Sequence, residues 1–209
     1  MKTIYDNKIH CVVLAGGKGT RLDGKGKYSQ ILCNKTLLDH VVYRLSIQES
    51  TIAINFHNEN INLKNDYEII YDKYKENIGP LAGIHAAISY CINLKGDSDL
   101  VVTVPVDTPF IPLDLLEKFK NKIKSSELEL VIASSNNRKH PTIAIWKTSV
   151  INKLEQSIKN NIRKIDVFTK ELKKSYVNWD VHNYDPFYNI NDHSDLKIAE
   201  NMIKKNIIR

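Results

Sequence analysis

The sequence predicts an α/β fold: residues 1–209 as one domain, a three-layer α/β/α sandwich around a mainly parallel sheet. Three observations lead there. Strand-like and helix-like apolar patterns alternate from the N-terminus onward, as βαβ units require. The run Leu100–Val106 is nearly continuous valine, which suits a strand covered on both faces. A chain of 209 residues without a composition break is sized for one substantial core rather than two.

Each element has its own signal. Ile9–Leu14 is a short apolar run ending at a double glycine, a buried strand entering a turn. A polar loop over 15–35 leads to Thr36–Ile47, where Leu37, Leu38, Val41, Val42 and Leu45 have helical spacing. Thr51–Asn55 and Tyr67–Tyr71 are the next strands, and Gly79-Pro80 breaks the chain before a helix over 81–92. Pro109 and Pro112 punctuate the exit of the valine strand before a helix at Leu113–Ile123. Strands follow at Glu129–Ala133 and Thr142–Trp146, then helices over 148–158, 162–174 and 192–207. Trp146 and Trp179 are expected to pack.

Composition excludes several function classes. With 42% hydrophobic and 26% charged residues, the chain is ordinary for a soluble globular protein. No apolar run approaches the roughly 20 residues of a membrane-spanning helix, so no membrane is expected as a partner. The N-terminus lacks the apolar core of a signal peptide. Cys11, Cys33 and Cys91 are scattered without a C-x-x-C pair, which fits core thiols in a reducing compartment. A cytoplasmic location follows. The net charge is +6, but 25 of the 30 basic residues are Lys rather than the Arg that forks onto phosphates, so nucleic acid is not an expected partner.

The chemistry gathers at the first turn. Gly16, Gly17 and Gly19 follow the first strand, where backbone N–H groups can approach phosphate oxygens with no Cβ in the way. Lys18, Arg21, Lys25 and Lys27 surround them with positive charge. A dinucleotide fingerprint beginning at Gly17 fails, because Leu22 replaces its third glycine. A P-loop from Gly19 also fails, because Gly26 stands where the magnesium-binding hydroxyl belongs. Further along, Asp107 leaves a buried strand at the same edge and offers a carboxylate to a hard cation such as Mg²⁺. Asn55 and Asp72 close two further strands.

The pattern L-A-G-G-x-G-x-R-(L/M)-x-G-x-x-K, complete from Leu14 to Lys27, resembles the signature of nucleotidyltransferases with a Rossmann-like sheet. Gly79-Pro80-Leu81-Ala82-Gly83, the segment from Pro105 to Pro112, His140-Pro141-Thr142-Ile143-Ala144 and the segment from Asp185 to Asn191 narrow the likeness. As an ordered set they resemble the molybdenum cofactor guanylyltransferase family. That resemblance implies GMP transfer from GTP to the phosphate of molybdopterin, or of molybdenum-molybdopterin, with Mg²⁺ as cofactor and pyrophosphate leaving. It also implies dealings with client molybdoenzymes and other cofactor-assembly proteins.

By the same resemblance, Leu14, Ala15, Gly16 and Gly17 hold base and phosphates, and Lys27, Asn55, Asp72 and Asp107 complete the nucleotide site. Asp107 is the metal ligand, and Lys27 and Arg21 neutralise charge during transfer. Gly83, His140, Arg163, Asn189 and Asn191 are candidates for the acceptor side. Asp72, or a backbone carbonyl nearby, is expected to contribute to purine choice by accepting from guanine N1–H and its amino group. The remaining histidines are expected on the surface or in the core. The residues by themselves leave open cytidylyl transfer, another phosphorylated acceptor, or a non-catalytic nucleotide-binding adaptor.

Overall fold

A computed structural model describes residues 9–17, 26–48, 50–57, 67–74, 78–94, 98–125 and 127–208. The first strand, β1 (Ile9–Leu14), ends at the glycines as expected. A two-residue hairpin, β2 (Ile31–Leu32) and β3 (Lys35–Thr36), then interrupts what the sequence presents as loop. Its turn residues Cys33 and Asn34 both have positive φ, 48° and 68°, the geometry such hairpins favour. Cys33 is therefore half-buried in a turn, while Cys11 and Cys91 lie in the core. Helix α1 (Leu37–Ser46) starts at a capping box, in which Thr36 and Asp39 satisfy each other's backbone N–H.

Next come β4 (Ser50–Phe56), β5 (Glu68–Tyr71), α2 (Pro80–Asn93), β6 (Leu100–Pro105) and α3 (Leu115–Ile123). The second half holds β7 (Leu130–Ser135), β8 (Arg138–Lys147), α4 (Ile151–Lys159), α5 (Ile165–Phe168), β9 (Lys174–Trp179) and α6 (His193–Lys204). The long helix expected over 162–174 is a correction. Only the short α5 and a 3-10 turn at Thr169–Glu171 form, and β9 follows. The segment after Leu172, with Tyr176, Val177 and Trp179, suits a strand, and β7 supplies a parallel partner for it.

Seven strands make one sheet in the order β5-β4-β1-β6-β8-β7-β9. Six run the same way, and β8 alone opposes its neighbours β6 and β7. Its inversion is local in origin. Asn136 and Asn137, with φ of 46° and 61°, close a two-residue turn that can only fold β8 back along β7.

Both faces of the sheet are covered, which is why its central strands are apolar without alternation. Cys11, Val13, Ile54, Val102 and Val104 pack under α1, α3 and α6. Val12, Ala53, Val101, Ile132 and Trp146 pack under α2, α4 and α5. Both tryptophans pack as expected: Trp146 is fully buried and Trp179 nearly so. No helix among the described residues is long and apolar enough to cross a membrane.

Trp146 donates its indole N–H to Thr103 Oγ1 at 2.9 Å, in a place without access to water. The Thr103→Val variant keeps the volume but strands that donor. It is expected to lose about 1–3 kcal/mol of stability, read from urea unfolding midpoints.

Candidate active site

The parallel strands β5, β4, β1 and β6 end at one edge of the sheet. They set in a row Asp72, then Asn55 with His57, then Gly16 and Gly17, then Asp107. At about 4.8 Å per strand, that row is about 14 Å wide. A cavity of about 520 Å³ lies over it, inside the roughly 300–1,000 Å³ range of small-molecule sites. Leu14, Gly16, Gly17, Lys27, Asn55, His57, Asp72, Gly83, Val106 and Asp107 all contribute to its wall.

At one end Lys27 Nζ donates to Asp107 Oδ2 at 2.6 Å and to Asn191 Oδ1 at 2.8 Å. Lys27 opens a short 3-10 turn, and the residue before it, Gly26, has φ 84°. A Cβ there would lie 2.7 Å from the Tyr28 ring, so only glycine lets the chain bend into this position. Asp107 follows β6 and is held by its backbone, whose carbonyl accepts from Ile190 N at 2.9 Å. Its second oxygen, Oδ1, is buried without a hydrogen-bond partner among the described residues. A carboxylate oxygen left so at a cavity wall fits a hard cation, with phosphate oxygens and water as the remaining ligands. Among the described residues no cluster of three or more His, Cys, Asp or Glu could hold a metal by itself. A magnesium ion shared with substrate phosphates needs none.

The C-terminal turn is pinned against this end. Asp195, in the first turn of α6, accepts from Asn191 N at 2.8 Å and from the Tyr188 hydroxyl at 2.9 Å. Burial, then the Asp195 carboxylate, push the Tyr188 phenol up to about 12, so it stays a donor. Asn189 is half-buried on the same turn.

At the other end Asp72 accepts from Asn55 Nδ2 at 2.9 Å and from His57 Nδ1 at 3.0 Å. Asn55 is 2% exposed, and the Asp72 side chain 8%. Above them runs α2, where Gly83 faces Asn55. A Cβ at Gly83 would come within 2.6 Å of Asn55 Oδ1 and 3.0 Å of Leu14 Cδ2. Ala15 is buried beneath the cavity floor, its N–H donated to the Asn55 carbonyl at 2.8 Å.

Two of the expected residues, His140 and Arg163, stand away from the cavity. Arg21 lies outside the described residues, as do Lys18 and Lys25. His140 sits behind the cavity wall. Its Nε2 meets Ser135 Oγ at 2.8 Å, Ser135 donates on to Asp185 at 2.7 Å, and its ring packs on Phe187. Burial holds the His140 pKa below the ordinary histidine value, with Asp185 opposing and Arg138 assisting. Thr142, two residues on, is the one that reaches the cavity. Arg163 turns its guanidinium to the Ile158 carbonyl at 3.1 Å and to Asn161 Oδ1 at 3.1 Å. Only its backbone carbonyl approaches Gly79.

His57 is a correction in the other direction. The sequence reading leaves it among surface or core histidines, whereas it lines the cavity. The available signal was strand alternation, which puts residue 57 on the same face as Asn55.

Residues 11–174 match the model of the MobA-like NTP transferase domain. A molybdenum cofactor guanylyltransferase from Rhizobium leguminosarum bv. trifolii is 34% identical over 208 residues, covering 97% of this chain and 96% of the relative. One from Rhodopseudomonas palustris is 31% identical over 191 residues, covering 90% and 91%. Among solved structures, molybdopterin-guanine dinucleotide biosynthesis protein A from Archaeoglobus fulgidus superposes with a TM-score of 0.77 at 28% identity. That match covers 94% of this chain and 100% of the other.

Asn55 is fixed by Asp72 and cannot swing aside for a methyl group. Gly83→Ala is therefore expected to displace the amide and lower affinity for a nucleoside triphosphate about tenfold, the worth of one hydrogen bond. Titration calorimetry is the check, and unchanged affinity would separate Asn55 from nucleotide binding.

Proposed function

The chain belongs to the MobA-like NTP transferase family, and from that membership we propose that it is a molybdenum cofactor guanylyltransferase working in the cytoplasm as one domain. Its substrates are GTP and molybdopterin, with or without molybdenum, and its product is handed on to client molybdoenzymes and other cofactor-assembly proteins. The observation that carries the chemistry is the Lys27–Asp107 pair at the cavity wall, with one Asp107 oxygen buried and unpartnered among the described residues.

In the reaction an oxygen of the acceptor phosphate forms a bond to the α-phosphorus of GTP. The bond from that phosphorus to the β-phosphate oxygen breaks, and pyrophosphate leaves with the electron pair. A phosphate nucleophile is already ionised at neutral pH, so the protein need supply only positioning and charge neutralisation. Leu14, Ala15, Gly16 and Gly17 offer their backbone to base and phosphates. Lys27, released from Asp107 when phosphates arrive, neutralises transferring charge, and Arg21 is assigned the same task. Asp107 would hold Mg²⁺, which supplies charge stabilisation on phosphate oxygens.

Asn55 and Asp72 occupy the base end. Gly83, expected on the acceptor side, lies against Asn55 at the base end instead. Asn191 borders the acceptor side, where Asn189 belongs to the same turn. His140 supports that side through Ser135 and Asp185, and Arg163 stands at its margin beside Gly79.

Pyrophosphate release is the direct test. It is expected with GTP, Mg²⁺ and molybdopterin together, and is expected to stop on chelation. Release with CTP in place of GTP would make the enzyme a cytidylyltransferase, and no release with any triphosphate would favour a binding adaptor. Lys27→Ala is expected to lower turnover about 10²-fold or more, measured in the same assay. Near wild-type turnover would remove Lys27 from the mechanism.

A further inference from the structure

At the base end of the cavity one carboxylate dictates what two neighbouring side chains show to a ligand. An ionised carboxylate accepts hydrogen bonds and donates none. Asp72 accepts through Oδ1 from Asn55 and through Oδ2 from His57. The amide of Asn55 must therefore turn its nitrogen to Asp72, which leaves its carbonyl Oδ1 on the side facing Gly83. The imidazole of His57 must carry its proton on Nδ1, and in the neutral ring Nε2 is then a lone-pair acceptor. Nε2 has no protein partner among the described residues and is not among the sealed polar atoms, and the ring lines the cavity. Asn55 Oδ1 is in the same situation.

We propose that His57 is a specificity-determining residue, forming with Asn55 an acceptor-only edge that selects guanine, while Asp72 acts through these two side chains by fixing amide and tautomer. This rests on the guanylyl-transfer reading above and refines it. The pairing edge of guanine carries two adjacent donors, N1–H and the 2-amino group. Adenine and cytosine place a ring-nitrogen acceptor beside their amino group, so either base would set a lone pair against a lone pair. A site built to pair with donors rejects a base lacking them, because acceptors that the bound base closes off from water are then left unpaired. With a side chain only 8% exposed and both oxygens engaged, Asp72 is better placed to orient than to touch.

The test is a comparison of affinities for GTP, ITP, ATP and CTP by titration calorimetry, on the wild-type protein, His57→Phe and Asp72→Asn. ITP keeps N1–H but lacks the 2-amino group, so the wild type is expected to rank GTP, then ITP, then ATP. His57→Phe is expected to bind GTP about tenfold or more weakly with ATP affinity held within about twofold. Asp72→Asn keeps both side chains but can donate as well as accept, and is expected to compress the same ranking. In the double variant the two losses should not add. Equal weakening of GTP and ATP in His57→Phe would mean a structural role and overturn the inference, as would an unchanged ranking. Compression by Asp72→Asn but not by His57→Phe would likewise remove His57. A wild-type protein preferring CTP would instead overturn guanylyl transfer itself, whatever the variants do.

Discussion

Four parallel strands lying side by side oblige their exit turns to share one edge of the sheet, and everything in the candidate site depends on this. Asp72, Asn55, the glycine turn and Asp107 are scattered over more than ninety positions of sequence, yet the order β5-β4-β1-β6 sets them in a row. The row needs β1 at its centre, buried on both faces, because only then can β4 and β6 pair on either side of it. The apolar run Ile9–Leu14 is thus as much a condition of the chemistry as the glycines that follow it. Lys27 and Asp107 could not meet if β1 and β6 were splayed apart.

The two ends of the row differ in electrostatic character. Toward β6 a cation and an anion meet directly and leave an anionic oxygen without a partner among the described residues, an arrangement that favours polyvalent phosphate with a metal. Toward β5 the Asp72 carboxylate is taken up by an amide and an imidazole, so its oxygens are engaged by side chains before a ligand arrives. A nucleotide is polar in the same sense, anionic at one end and hydrogen-bonding at the other.

Much of this was legible in the residues, and what was not has a common cause. Continuous apolar runs announced β1 and β6, and helical spacing announced α1, because buried elements carry their environment in composition. The glycine turn was legible because backbone approach to an anion demands a missing Cβ. By contrast β9 is an edge strand with half-exposed residues, and only its pairing with β7 makes it a strand. The direction of β8 depends on two asparagines that tolerate positive φ, a small signal beside ten strand residues. His57 escaped because its meaning comes from Asp72, fifteen residues on, and from a tautomer no local pattern encodes. Arg163 and His140 entered through resemblance, and folding turned their polar groups to backbone and to Ser135.

The clasp between Lys27 and Asn191 spans 164 positions of the chain. With Ile190 bound to the Asp107 backbone and Asn191 to Asp195, Lys27 receives its setting from α6 and the turn before it. On the ribosome this imposes an order of events. The glycine turn emerges early, and β1, β4 and β6 can assemble behind it, but Lys27 stays unclasped until the C-terminal turn and α6 have been synthesised. The clasp that sets Lys27 cannot close before residues 190–195 have been made.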